Sequence, residues 1–263
     1  MKGETMKLIV LGSGTSVPHP KRAASAHWLE TASGTLLLDM SAAAVHRMAE
    51  EHLDWANLDA IWISHFHLDH IGGLMPFLFG TKWSPQTQER RKPLMIYGGD
   101  GLKKLLQAFD EAGEYNLFKQ KFPIEVREVS PDSQFEILPH LKAQTFSTPH
   151  TRESLAIRLT DEESGASLVY TSDTGYTETL AEFARDVDLF IMECSFRRDK
   201  PIETHLELAE AMQLATRSNA RRIMLAHLYP EWDGVDIAAE ALKLWNGETI
   251  AATDGLRLTI EKA

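Results

Sequence analysis

Ser64-His65-Phe66-His67-Leu68-Asp69-His70 is the stretch on which the reading of this chain turns. Three histidines and a carboxylate within six positions form a ligand set for zinc, or for iron and manganese: imidazole nitrogens and carboxylate oxygens, with coordination positions left over for water. Extended backbone puts side chains two apart on one side, which lets His65 and His67 point at one cation while the following turn swings Asp69 and His70 toward a second. The competing reading is a polar surface loop. It fits poorly, because the motif follows the apolar β-type run Ala60-Ile61-Trp62-Ile63 and leads into Ile71-Gly72-Gly73-Leu74. Polar ligands at the carboxyl end of a buried strand are where α/β enzymes place chemistry.

Outward from the motif, strand-like and helix-like segments alternate with short punctuation. Strands are expected over 6–11, 26–30 and 36–39, an antiparallel start, then a helix over 42–51 and a strand over 60–63. After the motif come a strand over 94–97, a helix to about 109, and a β-rich middle over 124–128, 135–138, 141–148, 154–159 and 167–171. Helix and strand then alternate, with helices over 177–185, 206–217 and 236–245, strands over 189–193 and 222–226, and closing strands over 249–252 and 256–260. The segment 80–93 reads as an irregular surface loop beside the motif, because of Trp83 and the turn signals between Pro76 and Pro93. There is no repeat, low-complexity tract or long linker, so one α/β domain over 1–263 is expected. A four-layer αββα sandwich satisfies this order: two mixed β-sheets face to face, with helices outside.

Composition narrows the partners. The 263 residues carry 27 basic and 38 acidic side chains, a net charge of −11 that disfavours nonspecific attraction to nucleic-acid phosphates. The clusters Arg90-Arg91-Lys92 and Arg197, Arg198 and Lys200 read as solvated surface. Cys194 is the single cysteine, so no internal disulfide forms, and it reads as a small buried apolar residue. The opening Met-Lys-Gly-Glu-Thr-Met-Lys is polar, and no stretch is apolar enough to span a bilayer. A cytoplasmic protein without membrane contact is the expectation.

A two-metal centre needs more than four ligands, and three further candidates end strands. His150 follows 144–149, Asp173 follows 168–172, and His227 follows 223–226. Each alone reads as a capping or hydrogen-bonded structural group. Together with the first cluster they do not. With Thr148-Pro149-His150, Ser172-Asp173-Thr174-Gly175 and Ala226-His227-Leu228-Tyr229-Pro230, the chain resembles the metallo-β-lactamase superfamily, and within it the ribonuclease Z-like phosphodiesterase branch. Asp39 after Leu36-Leu37-Leu38, Gly12-Ser13-Gly14-Thr15 with Pro18 and Arg22, and Ile96-Tyr97-Gly98 add to the resemblance, which covers nearly the whole chain.

That resemblance implies the metallo-β-lactamase fold and a pair of divalent ions, zinc first, with manganese or iron as alternatives. It implies His65, His67 and His150 on one ion, Asp69, His70 and His227 on the other, and Asp173 bridging both. An aspartate at 173 argues against the lactamases that carry cysteine there. A water bridging two dications ionises near neutral pH and would attack phosphorus in line, with Asp69 orienting it or accepting its proton. His205 sits where ribonuclease Z-like proteins carry a catalytic histidine, making it the candidate acid for the leaving group. The family's threonine two residues on is Glu207 here, which leaves the partner of His205 open; a nearby carboxylate would favour the acid role by raising the imidazole pKa.

The expected function is therefore a dinuclear metal-dependent phosphodiesterase acting on a small-molecule or cyclic phosphodiester. RNA is a weaker candidate, since the chain is acidic and has no long Gly/Pro-rich arm. A lactone, thioester or other carboxylic-ester hydrolase on the same metal site is the alternative, and a binding protein with a degenerate centre a distant third. A homodimer is expected by resemblance. His19, His27, His46, His52 and His140 read as surface or packing residues, with His19 the one placed to reach the site, and Arg22 as a weak candidate for a substrate anion.

Overall fold

A strand covered on both faces is apolar at successive positions, and successive residues face different layers. In the computed structural model, which describes residues 5–262, β4 (Ala60–Ile63) is entirely buried. Its Ala60 and Trp62 belong to one apolar core, Ile61 and Ile63 to another. The opening segment through Glu4 lies outside the described residues, as does Ala263.

Around β4 are β1 (Met6–Gly12), β2 (Ala26–Thr31), β3 (Gly34–Leu38), β5 (Leu94–Gly98), β6 (Ile124–Glu128) and β14 (Arg257–Ile260). They form a seven-stranded sheet in the order β14-β1-β2-β3-β4-β5-β6. Pairing is antiparallel from β14 to β3 and parallel from β3 to β6. The second sheet contains β7 (Gln134–Leu138), β8 (Leu141–Ser147), β9 (Leu155–Asp161), β10 (Ser167–Tyr170), β11 (Leu189–Glu193), β12 (Arg222–Ala226) and β13 (Glu248–Ala251). Its order is β13-β12-β11-β10-β9-β8-β7, antiparallel from β7 to β10 and parallel from β10 to β13.

The core between the sheets joins Leu8, Val10, Leu36, Leu38 and Trp62 to Leu141, Ile157, Leu168, Ile191 and Met224. Over the outer face of the first sheet lie α1 (Ala44–Glu50), α3 (Leu74–Trp83) and α4 (Leu102–Gly113), with Met48, Leu74, Leu78 and Leu106 in one cluster with Ile9, Leu37 and Ile61. On the second sheet α5 (Glu178–Phe183), α6 (Leu208–Ser218) and α7 (Ile237–Leu242) bring Leu180, Met212, Leu214 and Ile237 against Phe190, Met192 and Leu225. The expected four-layer αββα sandwich is what the chain adopts. None of its helices is long and apolar enough to cross a membrane among the described residues.

Two expectations need correction. Residues 80–83 are the last turn of α3, and 85–87 add one 3-10 turn. Pro76 misleads because it is the third helical residue, within the first turn, where a backbone N–H has no intrahelical partner. The cluster at 90–92 is not wholly solvated either. Arg90 is buried and donates to the carbonyls of Ala56, Leu58, Lys92 and Pro93, with its guanidinium 4.5 Å from the Phe122 ring.

The approach of the start of α3 to the chain at Met40 and Ser41 depends on Gly73, whose added Cβ would collide with the Ser41 carbonyl, whereas one at Gly80, within α3, meets nothing within 4 Å. Gly73→Ala should therefore destabilise by about 1–3 kcal/mol, and Gly80→Ala should stabilise by about 0.5–1 kcal/mol. Urea unfolding of both variants checks the pair, and equal effects would contradict this packing.

Candidate metal centre

Strand ends carry the side chains that the sequence singles out. Ser64 and His65 follow β4, His150 lies three residues beyond β8, Asp173 three beyond β10, and His227 directly after β12. Residues 68–71 form a single helical turn, α2 (Leu68–Ile71), which carries Asp69 and His70. Three residues just past strand ends have left-handed backbone: Asp39, after β3, at φ 58°, Ser172, after β10, at 53° and His227, after β12, at 54°. For residues other than glycine this costs roughly 1–2 kcal/mol each. Such strain gathers where side-chain direction matters, and here it turns the chain sharply as it leaves the sheet.

The structure brings all seven candidate ligands together, in overlapping groups that also take in His205 with Asp173 and His227. Ligand atoms of His65, His67, His150 and Asp173 lie within 4.8 Å of one another, as do those of Asp69, His70 and His227. Asp173 stands between the groups. Its Oδ2 is 3.8 Å from His65 Nε2 and 3.6 Å from His150 Nε2, while its Oδ1 is 3.3 Å from both His70 Nε2 and His227 Nε2. Asp69 Oδ2 is 3.5 Å from His227 Nε2 and 3.8 Å from His70 Nε2, and His67 Nδ1 is 3.0 Å from His150 Nε2.

The other ring nitrogens are already occupied. His70 Nδ1 lies 2.8 Å from Asp39 Oδ2, His65 Nδ1 3.0 Å from Ser64 Oγ, His227 Nδ1 2.9 Å from Ser195 Oγ, and His150 Nδ1 2.9 Å from the Thr204 carbonyl. Fixing Nδ1 fixes the ring and leaves Nε2 to face the centre. Asp39 is the hub of this shell. It accepts from Ser64 N and Oγ, both at 2.8 Å, and from Tyr170 Oη at 2.7 Å and Ser172 Oγ at 3.2 Å, besides its contact with His70.

A metal fits this cradle on two counts. His65 Nε2, His70 Nε2, His227 Nε2 and Asp173 Oδ1 are buried without a hydrogen-bond partner, an arrangement costly for polar atoms unless something binds them. A tetrahedral cation about 2.0–2.2 Å from its ligands also sets neighbouring ligand atoms roughly 3.3–3.6 Å apart, close to the spacings around Asp173.

Burial and neighbouring charges shift the titration of the groups in this cradle. Burial, followed by the charge of His70, pushes His65 down to about 2 and so keeps it neutral. His70 moves the other way: burial would lower its pKa, but the Asp173 and Asp39 charges raise it well above the usual histidine value. Burial would raise Asp69, yet contact with His227 and the charge of His70 bring it to about 2. Asp173 is likewise held well below the usual carboxylate range, its burial outweighed by His227 and His70.

His205 lies beside this cluster, its ring stacked on that of His227 at 5.5 Å between centroids and 11° between planes. Its partner is Glu193, at 2.9 Å from Nδ1 to Oε1. Glu207 instead caps α6, as half of a capping box with Glu210. Glu193 also accepts from Thr174 N at 2.7 Å and Ser195 Oγ at 2.5 Å, which links His205 to His227 through one buried carboxylate. Burial lowers the His205 pKa, but the hydrogen bond and charge of Glu193 outweigh it and raise it. The sequence reading missed Glu193. The available signal was a carboxylate closing an apolar strand, the pattern also seen at Asp39.

His19 and Arg22 are not in the cluster, because both pair with Asp233, at 3.0 Å and 2.7 Å. His46, His52 and His140 are exposed, and His27 is buried against Tyr170. Cys194 is a free, buried thiol.

Comparison with known proteins places the chain. Residues 6–249 match the family model described as Anti-Pycsar protein Apyc1. Uncharacterized protein ML1173 of Mycobacterium leprae (strain TN) is 31% identical over 265 residues, covering 98% of this chain and 89% of that protein. The probable metallo-hydrolase YhfI of Bacillus subtilis is 27% identical over 253 residues, covering 95% of this chain and 98% of that protein. The YhfI crystal structure, described as a metallo-beta-lactamase fold protein, superposes with a TM-score of 0.83 at 25% identity, covering 97% and 99% of the two chains. Ribonuclease Z of Ignicoccus hospitalis is 26% identical over 305 residues, covering 97% of this chain and 99% of that protein.

Asp39→Asn isolates the hub, since asparagine tolerates left-handed backbone but turns an acceptor into a donor facing donors. We expect a loss of about 3 kcal/mol in folding stability, measured by urea denaturation; parent-like stability would refute the hub.

Proposed function

The chain belongs to the family of Anti-Pycsar protein Apyc1 and has the metallo-β-lactamase fold of metal-dependent hydrolases, and on that premise we propose that it is a phosphodiesterase. Its substrate in this reading is a small or cyclic phosphodiester. In this reading His65, His67 and His150 would hold one divalent ion and Asp69, His70 and His227 the other, with Asp173 shared, and zinc is the first candidate for such a set of imidazoles and carboxylates. The observation that carries the reading is His205, held by the buried carboxylate of Glu193 beside the cluster.

What a pair of dications supplies in such a cradle is a water ionised near neutral pH and positive charge next to the phosphoryl oxygens. The chain's own residues do the rest. Asp69, its pKa held low beside His70 and His227, would accept a hydrogen bond from the attacking water and orient it. His205 donates through Nδ1 to Glu193, which leaves its Nε2 proton for the departing oxygen. An alkoxide leaving group needs that proton, whereas a thiolate or nitrophenolate departs without it, so a held imidazole whose pKa Glu193 raises favours phosphodiesters of ordinary alcohols over thioesters.

Two observations weigh against structured RNA. The net charge is −11, and the alignment with ribonuclease Z spans 305 positions against 263 residues here, so that relative carries segments this chain does not.

A panel of aryl phosphodiesters, cyclic nucleotides, precursor transfer RNA and lactones, assayed with elemental analysis of the same metal-loaded sample, tests the reading. Turnover of the small phosphodiesters with about two metal ions per chain is expected; activity confined to lactones would overturn it. His205→Ala should lower kcat by about 10²–10⁴-fold on a poor leaving group and far less on a nitrophenyl ester. With the poor leaving group, the rate should fall as pH rises through the elevated His205 pKa, because the proton is lost. Removing the carboxylate charge in Glu193→Gln should move that fall to lower pH.

A further inference from the structure

His205 ends a loop that closes on itself. The Phe196 N–H donates to the Leu206 carbonyl at 3.1 Å and the Leu208 N–H to the Phe196 carbonyl at 3.0 Å, so residues 197–205 form an excursion with a pinned neck. Arg198 and Asp199 are exposed on it, but Lys200 folds inward and its side chain is only 8% exposed. The Lys200 ammonium reaches three acceptors: Glu210 Oε1 at 2.7 Å, the His205 carbonyl at 3.2 Å, and Glu203 Oε2 at 3.2 Å. An ammonium has three donors, and here each has a partner. The Lys200 N–H in turn donates to Glu207 Oε2 at 3.3 Å. Glu207 and Glu210 are the two halves of the capping box at the start of α6, so the lysine binds the loop to the first turn of a helix.

We propose that Lys200 is a positioning residue for His205. It ties the backbone carbonyl of that histidine to α6 and so sets the direction in which the imidazole leaves the chain. Glu193 holds the ring from one end, and Lys200 holds the backbone from the other. The same strap carries Thr204, whose carbonyl is bonded to His150, so the loop connects the candidate acid to one of the candidate ligands. Glu203, whose side chain is 90% exposed, adds little through its ion pair; the contacts to Glu210 and to the His205 carbonyl carry the effect. A displacement of about 1 Å of a catalytic group can cost on the order of 100-fold in rate, so a strap of this kind registers in turnover before it registers in folding.

For its kinetic readout the proposal rests on the reading of His205 as the acid. Lys200→Met keeps much of the length and removes the ammonium. In the metal-loaded protein it should lower kcat by about 10- to 100-fold on an alkyl phosphodiester, with KM little changed and a much smaller loss on bis-p-nitrophenyl phosphate. In a His205→Ala background it should add nothing further. Equal losses on both substrates, or a full additional loss without His205, would overturn the positioning role. A second measurement separates this from the phosphodiesterase reading. The low-field proton resonance of His205 Nδ1–H, identified by its absence in His205→Ala, should weaken or broaden in Lys200→Met. If His205→Ala shows no dependence on the leaving group, the acid reading falls while the resonance still decides the role of Lys200; an unchanged resonance in Lys200→Met rejects that role.

Discussion

A single buried carboxylate, Asp39, joins the two sheets beneath the candidate centre. It belongs to the first sheet's side of the molecule, at the end of β3, yet two of its donors, Tyr170 and Ser172, come from the end of β10 in the second. A fully buried negative charge is tolerable only when its lone pairs are occupied, and this one is met by donors on four residues, Ser64, His70, Tyr170 and Ser172. Because the donors include His70, the packing of the sandwich and the direction of an imidazole at its edge are one problem rather than two. The left-handed backbone at Asp39 is the local cost of that arrangement.

Above Asp39 the polar groups are layered. Serines, carboxylates and carbonyls take the Nδ1 atoms of four histidines, and the Nε2 atoms converge on Asp173. Each ring is held at its far side, so the centre is preorganised by contacts that never touch what it binds. His67 is the exception, exposed and with Nδ1 turned toward His150 rather than toward a supporting group.

How much could be read in advance depended on how far the deciding contact lay along the chain. The strand at 60–63 and the ligands after it were legible because a fully apolar run gave way to polar residues within one step, and the same contrast marked Asp173 and His227. Their sorting into two groups came from family resemblance, since 108 positions separate His65 from Asp173 and nothing local joins them. Glu193 was not legible as the partner of His205, because a carboxylate at a strand end looks the same whether it faces water or a histidine twelve residues away. Helix α3 was obscured by Pro76 and Gly80, residues that break helices in the interior but are harmless in a first turn or on an open face. Arg90 and Lys200 were read as surface, since a charge run carries no sign that carbonyls will converge on one of its members.

Each candidate ligand group also draws from both layers: His65 and His67 face His150, and Asp69 and His70 face His227. An ion seated in either group would act as a rivet between two plates that otherwise meet through side-chain packing, the ties at Asp39 and a few direct bonds, such as that from the Leu155 N–H to the Ser64 carbonyl. Sliding one sheet over the other by even a few tenths of an ångström would be felt first at that rivet. Large residues deep in the seam, such as Trp62, therefore hold the gauge of a fitting beyond their own reach, and substitutions there would surface as altered coordination before they surface as unfolding.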